Sequence, residues 1–244
     1  NQTGATGNIA ASTVARSKPD GYTLLVVANG IVTSPAVKKE APFNPIKEFT
    51  PIAVIGRLPL ILTIRSDLPA SNVKEFVEYA RTSTRPVTYS SSGIGGITHL
   101  AGELFSTSTG VKMTHVPFRG NSDALTAVMG GQVDALFDNL NGASAQASNP
   151  KLKHLAITSA RREKALPNTP TFLEAGLPDF DVKVFFGVLG PAGIAPEIVT
   201  TLNRSINAAL ENERVIDILS TKGGLTIERD SPAAFGKLLE REFS

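Results

Sequence analysis

The chain has 244 residues, with 24 Lys and Arg against 22 Asp and Glu and no cysteine. That balance excludes disulfides, thiolate metal sites and cysteine nucleophiles, and it lacks the basic excess of a nucleic-acid footprint. A 41% hydrophobic content supports two modest domains or one large one. No run approaches the roughly 20 apolar residues of a membrane span. The first residues, Asn1 to Gly7, carry neither the charged nor the apolar part of a signal peptide, so the expectation is a soluble chain, processed or truncated.

Short apolar runs bounded by Gly, Pro and Asn alternate with stretches of helical period, which favours an α/β architecture. In chain order the expected strands are Tyr22 to Ala28, Ile52 to Ile55, Leu60 to Ile64, Val87 to Ser90, Thr114 to Phe118, Ala135 to Asp138, His154 to Thr158 and Val182 to Leu189. Asn72 and Glu75 have capping-box spacing ahead of Val73, Phe76, Val77 and Ala80, which share one helical face. Pro196 suits the first turn of a helix whose stripe is Ile198, Val199, Leu202, Ile206 and Leu210. A second helix ending near Gly223, a short strand at Thr226 to Glu228 and a last helix begun by Ser231 and Pro232 complete a helix-rich final third.

The most informative segment is Tyr89-Ser90-Ser91-Ser92-Gly93-Ile94-Gly95-Gly96-Ile97-Thr98-His99, directly after a strand and directly before the apolar helix Leu100, Ala101, Leu104, Phe105. A Gly-rich turn opening a helix exposes backbone N–H groups at the positive end of the helix dipole, a place suited to anions. Ser91, Ser92 and Thr98 add hydroxyls that donate to a carboxylate or cap the helix. The competing reading is an ordinary capped turn. The phosphate-loop pattern fails for want of a lysine, and the dinucleotide pattern fails because Thr98 stands at the third glycine. The hydrolase elbow fails because no glycine leads the triple serine. His99, His115 and His154 are too dispersed for a metal motif, so no metal and no cofactor is expected; each reads as a hydrogen-bonded structural residue, with His99 also a candidate to face a ligand.

Two other strand ends run into small polar residues: Val116-Pro117-Phe118-Arg119-Gly120-Asn121-Ser122 and Leu136-Phe137-Asp138-Asn139. Ligands of open α/β sheets gather beyond the carboxyl ends of strands, where both segments fall. Against this, on position alone Arg119 reads as a solvated surface charge and Asp138 as an ordinary turn or cap residue.

With these residues in view, the chain resembles the solute-binding proteins of tripartite tricarboxylate transporters, the Bug type, within the type II periplasmic binding protein fold. The landmarks are Gly4-Ala5-Thr6-Gly7-Asn8-Ile9-Ala10, Lys18-Pro19-Asp20-Gly21-Tyr22-Thr23-Leu24-Leu25, the Ser-Gly loop with His99-Leu100-Ala101-Gly102-Glu103-Leu104-Phe105, and Val116-Pro117-Phe118-Arg119-Gly120. Further on come Gly131-Gln132-Val133-Asp134, Phe137-Asp138-Asn139, Leu166-Pro167-Asn168-Thr169-Pro170-Thr171, Glu174-Ala175-Gly176-Leu177-Pro178 and Gly187-Val188-Leu189-Gly190-Pro191-Ala192-Gly193.

The resemblance implies a periplasmic Venus-flytrap receptor, not an enzyme. Two α/β lobes, each a mixed sheet flanked by helices, would capture a mono-, di- or tricarboxylate for membrane permease subunits, and the receptor would act as a monomer. It places lobe one at residues 1–62 and 187–244 and lobe two at 63–186. The implied ligand-binding residues are Asn29, Gly30, Ser91, Ser92, Gly93, Gly95, Thr98, His99, Arg119, Gly120 and Asp138. An N-terminal strand, Gly-containing loop and helix of lobe one, usual in the family, are missing from the sequence as it stands. Ile94, Ile97 and Asn29 replace smaller or hydroxyl-bearing residues, so the ligand is expected to differ from a simple dicarboxylate. A ligand-reporting receptor for a membrane sensor is the alternative, and a serine hydrolase, which needs a His near Ser91 with an acidic orienter, is a further one.

Overall fold

The computed structural model describes residues 7–37 and 43–243; of the family landmarks, Gly4, Ala5 and Thr6 lie outside them. Local signals act as their chemistry dictates. Asn72 Oδ1 accepts from Glu75 N–H at 2.9 Å and Glu75 Oε2 accepts from Ser71 N–H at 2.7 Å, so the capping box starts helix α3 at Val73–Thr82. Pro196 opens α7, Pro196–Ala209.

The chain divides into two units, Asn1–Leu58 with Val184–Ser244, and Pro59–Lys183. The changes of unit fall at 58/59 and 183/184.

In the first unit strand β1, Leu25–Val27, pairs antiparallel with β7, Lys183–Pro191, and β2, Phe49–Arg65, pairs antiparallel with β8, Thr226–Ile227. Helices α1 (Asn8–Ala15), α2 (Gly30–Val37), α7 and α9 (Pro232–Phe243) belong to this unit. Leu25, Val27, Phe49, Val54, Phe185, Leu189 and Phe235 fill one core cluster, and Ile52, Ala53, Val188, Ile194 and Val199 another. The helix expected to end near Gly223 is α8, Glu213–Ile216, continued by a π-helical turn over Asp217–Lys222.

The second unit holds a sheet ordered β6-β2-β5-β3-β4. Strands β3 (Val87–Ser91), β4 (Met113–Pro117) and β5 (Ala135–Asn139) run parallel, while β2 is antiparallel to β5 and to β6 (Leu152–Ile157). The runs Ile52 to Ile55 and Leu60 to Ile64 are thus one 17-residue strand. Gly56 and Pro59 look like breakers in sequence, yet Pro59 falls between the β8 ladder, which ends at Arg57, and the β5 ladder, which begins at Leu60.

An aromatic core, Phe76, Phe105, Phe137, Phe172 and Phe180, sits beside this sheet, with the closest ring pair, Phe172 and Phe180, 4.3 Å apart. Each such ring contributes on the order of 1.5–3 kcal/mol relative to exposure. At the start of β5 the buried Asp134 carboxylate accepts both arms of Arg85, at 2.7 and 2.6 Å, and the N–H and hydroxyl of Thr88. Burial alone would raise its pKa, but Arg85 and Thr88 together hold it below the ordinary value. That ion pair secures the amino end of the parallel strands.

Candidate functional site

At the other end of the second unit's sheet, β3, β4 and β5 finish at Ser91, Pro117 and Asn139, and α4 (Ile97–Thr109), α5 (Asn121–Met129) and α6 (Leu140–Ala145) begin just beyond them. Ser90 is in register with Leu136 and Ser91 with Pro117, so the segments after them, Ser92–Gly96, Phe118–Gly120 and Asp138–Asn139, leave neighbouring strands at one edge. Ser91, Ser92, Gly93, Gly95, Thr98, His99, Arg119, Gly120 and Asp138 therefore all lie at this one edge of the sheet.

The Ser91 loop is tied mainly to itself. Ser91 Oγ bonds Gly93 O at 3.2 Å and accepts from Gly93 N–H at 3.1 Å; Thr98 Oγ1 accepts from Ser92 N–H at 3.0 Å and pairs with Ser92 Oγ at 3.0 Å. Ser91 and Thr98 are 1% and 2% exposed, so the hydroxyls singled out as ligand donors are spent shaping the turn. Gly95 turns at φ 76°, a left-handed value that side chains with a Cβ resist, and its N–H donates to His99 Nδ1 at 3.2 Å. Within the loop Ile94 is exposed and Ser92 partly so. The opening N–H groups of α4, at Ile97 and Thr98, have no carbonyl within their own helix, and the dipole of a 13-residue helix points its positive end here.

Beneath the loop lies a stack of rings that sequence spacing did not disclose. Tyr89 lies 5.0 Å from His115 and His115 lies 4.0 Å from His99, all near parallel, and His115 Nε2 meets Ser91 Oγ at 2.6 Å. Tyr89 OH donates to Glu103 Oε1 at 2.5 Å, and that carboxylate lies 3.8 Å from His99 Nε2. Helix α4 approaches this stack so closely that a Cβ on Gly102 would run into the Tyr89 ring. Burial, then the neighbouring His99, push His115 down to about 4; burial also lowers His99, against the pull of Glu103. Burial, then Glu103, raise Tyr89. The stack is therefore neutral at ordinary pH. The parallel register of Tyr89 with His115 is the signal that would have joined them, and it is invisible without the β3–β4 pairing.

Ser91 and His115 do form a close pair, but Ser91 is buried, His115 is a poor base at a pKa near 4, and Glu103 is engaged by Tyr89, so the arrangement is not that of a hydrolase. Among the described residues no group of three or more His, Asp or Glu is placed to hold a metal.

Asp138 is wholly buried, its Oδ1 accepting from Asn121 Nδ2 at 2.5 Å, while its Oδ2 and the buried Oδ1 of Asn121 have no hydrogen-bond partner. Burial raises its pKa to about 6, opposed by the Asn121 amide and the Asn139 N–H. Asn121, part of the Val116 to Ser122 segment but not among the expected ligand-binding residues, meets Asp138 because it opens α5 beyond the end of the sheet that holds β5. Arg119 is an exposed side chain and Gly120 is the N-cap of α5. In the first unit Asn29 is 1% exposed, its Oδ1 accepting from Phe185 N–H at 2.9 Å, which anchors the turn after β1 to β7; Gly30 begins α2.

The family model described as tripartite tricarboxylate transporter family receptor matches residues 1–239 of the chain. Protein BugT of Bordetella pertussis is 29% identical over 233 residues, covering 93% of this chain and 70% of BugT. Among solved structures, Rpa4515 of R. palustris with adipate superposes with a TM-score of 0.93 at 35% identity, over 100% of this chain and 81% of that one. MatC (Rpa3494) from Rhodopseudomonas palustris with bound malate gives 0.90 at 32% identity, over 98% and 83%.

Proposed function

The chain belongs to the receptor family of the tripartite tricarboxylate transporters, and from that premise we propose that it captures a small organic carboxylate in the periplasm and delivers it to the transporter's membrane permease. Its relatives are receptors rather than enzymes, and two of them were solved with adipate and with malate.

The observation that carries this reading is the Ser91–His99 turn at the carboxyl end of β3. Its hydroxyls are spent within the loop, so the turn offers a carboxylate the opening N–H groups of α4 and that helix's dipole instead of a fixed cation. Such neutral seats bind anions through backbone donors and ordered water. Ser92, Gly93, Gly95, Thr98 and His99 are assigned to this seat, Thr98 through its N–H and the rest as its walls.

The test is native mass spectrometry of protein purified without refolding, followed by calorimetry against mono-, di- and tricarboxylates. A carboxylate carried through purification, or micromolar binding of at least one acid, is expected. Failure to bind any acid while the fold is intact would refute the reading.

A further inference from the structure

Asp138 poses a problem that carboxylate capture alone leaves unsolved. A side chain that is wholly buried normally has every polar atom paired, and an unpaired buried oxygen costs on the order of 1–3 kcal/mol, more when charged. Here two acceptor oxygens in one contact, Asp138 Oδ2 and Asn121 Oδ1, lack donors. They lie at the end of β5 and the start of α5, at the same edge of the sheet as the Ser91 loop.

Both atoms accept, so what satisfies them must donate. A second carboxylate is the wrong partner, since it brings more acceptors and a like charge. A hydroxyl or an ammonium is the right one, and an ammonium is also attracted by the ionised carboxylate.

Resting on the carboxylate-receptor reading, we propose that Asp138 and Asn121 form an acceptor subsite for a hydrogen-bond donor carried by the ligand, so that the receptor selects amino- or hydroxy-substituted carboxylates over their unsubstituted counterparts. The Ser91 loop holds a carboxylate of the ligand, and the Asp138–Asn121 pair reads the substituent. Asp138 does this from a rigid position: it is on the inner strand β5, between β2 and β3, and its carboxyl lies so close to α6 that a Cβ on Gly142 would meet Oδ1 at 2.6 Å.

Matched acids of equal carbon skeleton decide the matter: succinate, malate and aspartate; glutarate, 2-hydroxyglutarate and glutamate; propionate, lactate and alanine. Each is titrated by calorimetry into the wild-type chain and into Asp138→Asn and Asn121→Ala, with circular dichroism confirming the fold. In at least one set the hydroxy or amino acid should bind at least tenfold more tightly than the unsubstituted acid. The preference for an ammonium over a hydroxyl should vanish in Asp138→Asn, and Asn121→Ala should weaken the substituted acids alone. Equal affinity within every set would mean that the two oxygens hold only water, and would overturn the subsite while leaving carboxylate capture intact. A preference that survives both substitutions would overturn it too, by placing the reader elsewhere. Absence of binding by all nine acids would sink the carboxylate reading and the subsite with it.

Discussion

Replacing Asp138 by Asn should make the ligand-free protein more stable at neutral pH, and the size of the effect follows from the carboxyl's surroundings. It is wholly buried, and its pKa stands at about 6 against an ordinary 3.8, burial outweighing the Asn121 amide and the Asn139 N–H. Because the folded state keeps this proton to higher pH than the unfolded chain, the group's contribution is fully present below about pH 3.8 and is lost as pH rises through about 6. A shift of roughly two units corresponds to about 3 kcal/mol. The Asn variant is neutral throughout and escapes the loss. Its advantage over wild type in unfolding free energy should therefore grow by about 2.5 kcal/mol between about pH 4 and about pH 7.5.

The lowered histidines, His99, His115 and His154, act in the opposite sense, losing stability as pH falls below their unfolded values, but they are common to both proteins and cancel in the difference. Urea unfolding followed by circular dichroism at several pH values measures that difference. A constant offset across the range would show that Asp138 bears no buried charge at neutral pH, and the reasoning would fail.

Gly95→Val places a β-branched residue at φ 76°, a strain on the order of 1–3 kcal/mol; carboxylate affinity should fall at least tenfold with the fold retained, and unchanged calorimetric affinity would remove this turn from the site. His115→Phe keeps a ring in the stack but deletes the 2.6 Å bond to Ser91, so it should cost about 1 kcal/mol of stability. The wild-type stack adds stability above about pH 6.5 that is lost as pH falls through about 4, where His115 gains a proton beside His99; binding by the Phe variant should be less acid-sensitive, and identical pH profiles of binding would exclude His115 as the support of the loop.

Much of the fold was legible because its signals are local. The capping box at Asn72 and Glu75, the proline opening α7 and the short apolar runs of β3, β4 and β5 each express a preference of a few neighbouring residues. The Ser91–His99 turn was legible for the same reason, since glycines between an apolar run and a helical stripe leave the chain little else to do. What the sequence concealed depends on strand pairing. Ile52 to Ile55 and Leu60 to Ile64 read as two strands because nothing local reveals that β8 and β5 pair with successive parts of one strand. The pairings of His115 and Asn121 escaped notice because their partners, Ser91, His99 and Asp138, are 24, 16 and 17 residues away and meet them only through the sheet. The roles of Ser91 and Thr98 could not be read either, because a hydroxyl beside a glycine turn can point to a ligand or into its own loop.

That inward turn of the hydroxyls bears on how selectivity arises. A seat made of backbone N–H groups treats every carboxylate alike, because the main chain offers the same donors whatever the rest of the ligand carries. Discrimination must then come from side chains next to the seat, and a buried acid is an effective one: ionised Asp138 weakens binding of any ligand that puts a second carboxylate against it and strengthens binding of one that puts a donor there. Leaving Oδ2 and Asn121 Oδ1 unpaired, and holding a charge in a wholly buried position, lowers the stability of the empty receptor. A donor-bearing ligand offsets that loss on binding, whereas an unsubstituted acid leaves it in place. The penalty within the empty site therefore becomes the margin by which the two are told apart.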